Sequence, residues 1–163
     1  MRAKISTALF LAASVLALWA VAAFRPTSPY IIDTPYEYPV VPGTQEWIDL
    51  GSVRARREAS QVPEELLQKM TTDALLLTVL EYPFLVDIYA FNTLDMGYQS
   101  VKKQCNGLRK FISRPDCMDA LSRYCEKVSS LDEEEKTFED YAAVVLYSAI
   151  SAEKGTEVVL PVA

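Results

Sequence analysis

Leu94 to Ile112 reads LDMGYQSVKKQCNGLRKFI, and Leu94, Tyr98, Val101, Cys105, Leu108 and Ile112 recur in it at alternating steps of four and three. That spacing draws one apolar stripe along a helix. Thr93 is its expected N-cap, and Pro115 stands just past its end. Asn106-Gly107 interrupts the run, yet the stripe continues across the pair. The spacing therefore predicts one continuous helix with a weak point there.

The flanking segments repeat the theme. Pro63-Glu64-Glu65 opens a short helix carrying Leu66, Leu67 and Met70, with proline early and acids facing the helix dipole. Thr72 is read as the cap of a second helix, Asp73 to about Tyr82, which Pro83 breaks. Phe84 to Phe91 (FLVDIYAF) is apolar nearly all round and is expected to be the most buried segment. Asp116 begins another helix with Cys117, Leu121, Tyr124, Cys125 and Val128 on its apolar face. Glu133 to Ser151 forms the last, its acids in the first turn, and Val158-Val159-Leu160 is a β-prone tail. The expected fold is all-α, a bundle of five to six helices over residues 63–163.

Upstream the chain changes character. Six of the nine prolines fall between Pro26 and Pro63, so residues 23–62 read as an extended Pro/Tyr-rich arm. Pro42-Gly43 marks a turn, and Thr44 to Trp47 a capped helical turn ending near Gly51. Tyr30, Ile31, Ile32, Tyr36, Val40 and Val41 make the arm too apolar for a spacer. Two readings stay open: packing on its own domain, or docking a ligand through Trp47, Tyr36 and Tyr38 as candidate binding residues.

The N-terminus carries an address. Arg2 and Lys4 precede an uncharged apolar run, Ile5 to Ala23, and Ala20-Val21-Ala22 is an A-x-A cleavage pattern. Residues 1–22 are therefore expected to be an export signal, with an uncleaved membrane anchor at 5–23 as the alternative. Both leave the remaining chain secreted or on the outer surface. Cleavage removes two of the 16 basic residues and none of the 22 acids, leaving 14 against 22 and a net of −8. Such a surface suits neither nucleic acid nor anionic lipid.

Composition excludes much chemistry. The 163 residues include no histidine, which closes His-dependent triads, imidazole acid–base catalysis and His-ligated zinc. Three cysteines without histidine are a poor metal site. Export makes disulfides feasible. Cys117 and Cys125 are separated by about 12 Å of helical rise, beyond the ~7 Å a bridge tolerates. Cys105 with Cys125 is the preferred pair, Cys105 with Cys117 the other open one, and three buried thiols the alternative to both. Ser100-x-x-Lys103 and Ser151-x-x-Lys154 match a bare serine–lysine pattern without its companion motifs. Asp132 to Glu135 with Glu139 and Asp140 lacks the glycine-containing loop of a calcium site. No catalytic residue, metal ligand or cofactor is assigned.

Tyr38-Pro39-Val40-Val41-Pro42-Gly43-Thr44-Gln45-Glu46-Trp47 is followed by Gln61-Val62-Pro63-Glu64, Met70-Thr71-Thr72, Thr78 to Pro83 and Asn106-Gly107-Leu108. Together these resemble a family of uncharacterised exported proteins of Gram-positive bacteria, from Tyr38 to about Arg114. That family often has cysteine where Ser60 stands here, so no shared bridge carries over. The resemblance implies export and one unit joining arm to helices, and no activity. The sequence thus points to a secreted or surface-associated, non-catalytic helical binding or accessory protein whose partner is an unidentified protein or envelope component. The alternatives are a small carboxylate-dependent hydrolase of cell-wall material and a membrane-anchored structural protein.

Overall fold

Thr72–Leu80 (α4) is the helix around which the others assemble. Its core-facing side chains Ala74, Leu75, Thr78 and Val79 are solvent-inaccessible. Thr71, one residue before the expected cap, accepts the Ala74 N–H through its hydroxyl. The structure, a computed structural model, describes residues 30–155; the expected signal at 1–22, the apolar run 5–23 and the tail at Val158–Leu160 lie outside the described residues.

The described residues are all-α. In chain order they form α1 (Gln45–Asp49), α2 (Val53–Ala59), α3 (Glu64–Lys69), α4, a 3₁₀ turn η1 (Leu85–Tyr89), α5 (Leu94–Gln104), α6 (Asn106–Ile112), α7 (Cys117–Ser129) and α8 (Phe138–Lys154). Six of the eight α-helices fall within residues 63–155, in keeping with the five or six expected there; α1 and α2 lie in the arm, where VRARREA offers no apolar stripe to announce α2. One expected helix is divided: the long helix predicted from Leu94 is two. Cys105 is extended (φ −99°, ψ 110°) and ends α5 while capping α6. Arg109 takes up the Lys102 and Lys103 carbonyls freed by the break, and the Asn106 amide pairs with Val62: its Oδ1 accepts the Val62 N–H at 3.0 Å, and its Nδ2 donates to the Val62 carbonyl at 2.7 Å. Gln61 ties the same break, donating to the Gln104 carbonyl and accepting the Asn106 N–H.

Helix α4 packs against α6, α7 and α8, while α5 packs against η1, α6 and α8. The α5–η1 contact is backbone to backbone at Gly97, where a Cβ would lie 1.9 Å from the Ile88 carbonyl oxygen. Two expectations fail here. FLVDIYAF is not the most buried segment: Leu85 and Ile88 are buried, but Val86, Tyr89 and Phe91 face solvent, because a 3₁₀ turn can bury only one edge. The last helix starts at Phe138 rather than Glu133, because Thr137 and Asp140 form a reciprocal capping box there.

The arm lies on the helices. Ile31 and Ile32 donate to the Lys69 carbonyl, Thr71 donates back to the Ile32 carbonyl, and Ile32 makes a parallel bridge with Met70. Arg114, itself buried, donates to the Leu67 and Met70 carbonyls at the end of α3, with the Tyr30 ring 3.6 Å from its guanidinium carbon.

Candidate functional site

The three candidate binding residues of the arm are all in contact with the body of the protein. The Tyr36 N–H donates to the Thr78 hydroxyl (2.9 Å), and the Tyr38 hydroxyl donates to the Thr78 carbonyl (3.1 Å). Their rings are edge to face at 5.2 Å, and Tyr38 continues to Tyr82 at 6.1 Å. Burial, with Cys105 nearby, pushes the Tyr38 hydroxyl well above the ordinary tyrosine range. Trp47 stacks on Phe84 at 5.1 Å under the Arg56 guanidinium, whose Nε donates to the Trp47 carbonyl. One string of rings, Tyr36–Tyr38–Tyr82–Phe84–Trp47, therefore fastens arm and α1 to the bundle.

Cys105, Cys117 and Cys125 are free, buried thiols, so the Cys105–Cys125 pairing is not formed. Each occupies a separate local role. The Cys105 sulfur accepts the Leu108 N–H at the α5–α6 break, Cys117 approaches the Ile112 carbonyl, and Cys125 lies on α7 facing α8. Burial pushes the Cys105 thiol up to about 11, against the backbone N–H groups of Leu108 and Gly107. It pushes Cys125 up to about 11 as well, helped by Glu126.

Of the two serine–lysine pairs, Ser100 and Lys154 have other partners. Ser100 accepts from Gln104, Lys103 is exposed, Ser151 is buried, and Lys154 donates to the Ile112 carbonyl. Among the described residues no three of His, Cys, Asp or Glu gather where one metal ion would bind them.

What the structure does present is an open groove of about 690 Å³ between α7 and α8. Val128 and Cys125 of α7, Phe138, Tyr141 and Val145 of α8, and Tyr89 of η1 make its walls. Tyr89 and Phe138 meet edge to face at 5.8 Å. Tyr89, Phe138 and Tyr141 are respectively 43%, 40% and 47% exposed, large fractions for aromatic side chains beside one another.

Polar groups hold the groove's rim in place. Asp140 is buried and accepts from the Thr137 backbone N–H (2.9 Å), the Thr137 hydroxyl (3.0 Å) and the Tyr124 hydroxyl (2.9 Å). Burial acts to raise its carboxyl; the Thr137 and Tyr124 donors more than offset that and hold it below the usual carboxylate range. At the mouth, Glu133 accepts from Lys136 (2.5 Å) and the Tyr141 hydroxyl (2.9 Å), which lowers its carboxyl and sets the Tyr141 ring.

The sequence reading passed over this groove. Its signal was present: Tyr141 to Ala152 contains no charged residue, although the outer face of a surface helix normally carries some. Comparison with family models, curated proteins and solved structures found no match.

Proposed function

We propose that this chain is an exported, non-catalytic helical binding protein, released or held at the cell surface, whose α7–α8 groove takes an apolar partner surface. The observation that supports this most directly is the juxtaposition of half-exposed Tyr89, Phe138 and Tyr141 along an open, apolar-walled groove. The Tyr141 ring, fixed by its hydrogen bond to Glu133, loses little conformational freedom when covered, so it suits recognition. The groove's titratable neighbours are already committed: Asp140 caps α8, and Cys125 is held protonated by burial. Export is proposed from the basic and apolar N-terminus together with the resemblance noted above.

The experiment is crosslinking capture from the host's envelope fraction with wild-type bait and a Tyr141→Glu bait of unchanged helicity. A partner taken by the wild type and lost with Tyr141→Glu supports the reading. Equal capture by both baits, or none by either, sinks it.

A further inference from the structure

The outer face of α8 is graded by size. Phe138, Tyr141, Val144 and Val145 stand at its N-terminal half; Ser148, Ala149, Ala152 and Gly155 continue the same stripe to its C-terminal end. Tyr141, Ser148, Ala152 and Gly155 are exposed, and Val144, Val145 and Ala149 half-buried. The charged residues near the C-terminus are turned elsewhere. Glu153 accepts from Tyr98 and Lys102 of α5, and Lys154 reaches the end of α6.

The geometry points to a second copy of this chain as the occupant of the α7–α8 face, its α8 antiparallel to the first. This names the partner of the groove and rests on the binding reading above. Antiparallel pairing places Phe138 opposite the partner copy's Gly155, Tyr141 opposite Ala152, and Val145 opposite Ser148. Large side chains of each copy thus meet small ones of the other at every step, and a two-fold axis makes both halves equivalent. The slim C-terminal half of one helix seats in the groove beside the other's aromatic half. A helical serine hydroxyl can bond back to the carbonyl four residues earlier, so covering Ser148 need strand no donor.

Area supports the same occupant. On η1, Val86 stands one 3₁₀ turn before Tyr89 and shares its edge, the two being 57% and 43% exposed. With the α8 stripe they supply on the order of 550 Å² per copy, below the ~800 Å² per partner of a standard specific interface and fitting a weak dimer. The stripe between Tyr141 and Ala152 is uncharged, so two acidic molecules meet there without opposing charges of like sign.

The test expresses the full-length chain, purifies it as the host processes it, and measures mass by sedimentation from about 1 to about 200 μM. The expected result is a monomer–dimer equilibrium with micromolar dissociation. Ser148→Arg and Ala152→Arg alter exposed positions and leave helicity unchanged, and melting too where the wild type is monomeric, yet each weakens the dimer at least about tenfold. Ser148→Cys also gives a dimer with a short bifunctional maleimide, and Lys69→Cys, on α3, gives none. A wild type that stays monomeric overturns the proposal, as does a dimer indifferent to both arginines, whose copies meet elsewhere. A monomer that dimerises only after residues 156–163 are removed assigns the groove to that segment and also overturns it. A monomer that still captures an envelope partner through Tyr141 leaves the binding reading standing, whereas a monomer that captures nothing ends both.

Discussion

Asp140 joins three tasks in one carboxylate: it closes the capping box with Thr137, anchors the Tyr124 hydroxyl, and fixes the first turn of the helix that walls the groove. Its folded carboxyl lies below its ordinary value, since the Thr137 and Tyr124 donors outweigh burial. The sign of the pH effect follows. An unfolded aspartate titrates near 3.9, so the stability Asp140 contributes is complete above about pH 4 and fades as pH falls through the lower folded value. Asp140→Asn should therefore cost about 1–2 kcal/mol at pH 7, a lost cap plus a weakened charge-assisted bond. Urea denaturation of both proteins across the acid range should show the gap closing below about pH 4. A gap that stays constant into strong acid would mean the carboxylate's charge plays no part.

At the scale of elements, the junction of α5 and α6 shows how far patterning reaches. The stripe from Tyr98 to Leu108 is buried as its spacing predicts, and the helical class follows from it. What spacing cannot report is that Asn106 and the Gln61–Val62 pair, about 45 positions apart in the chain, exchange hydrogen bonds that compete with the helix ladder. The apolar phase is the same whether or not one turn opens at Cys105, so the break is a tertiary fact written in two amide side chains. The same limit applies to the candidate site. Tyr36, Tyr38 and Trp47 stood out as aromatics in a proline-rich arm, but their partners Thr78 and Phe84 became visible only once the arm was laid on α4 and the segment after it. The groove aromatics Phe138 and Tyr141 fall within the expected last helix, but an uncharged run does not say which of its faces is covered. Asn106→Ala removes both partners of the buried Val62 backbone and should destabilise the protein by about 2–3 kcal/mol in chemical denaturation. If a continuous Leu94–Ile112 helix were the preferred state, the same substitution would instead be neutral or stabilising, alanine being the better helix former.

For the whole molecule, the cysteines report on the packing. The three thiols sit at different junctions: Cys105 at the α5–α6 break, Cys117 at the start of α7, Cys125 against α8. All are buried, and the thiols of Cys105 and Cys125, pushed up to about 11, hold on the order of a thousandth of their population as thiolate near pH 8. Thiol reagents attack the thiolate, so both chemistry and access protect the native state. An oxidising setting, which the proposed export would entail, would then act mainly on unfolded or half-folded chains. Ellman titration of the native protein should be slow at all three positions, and addition of denaturant without reductant should release three equivalents. A release of one equivalent means that two cysteines are bridged in the purified protein. Were the bridge Cys105–Cys125, it would join the α5–α6 break to the helix beside the groove, and at least one of those junctions would have to repack.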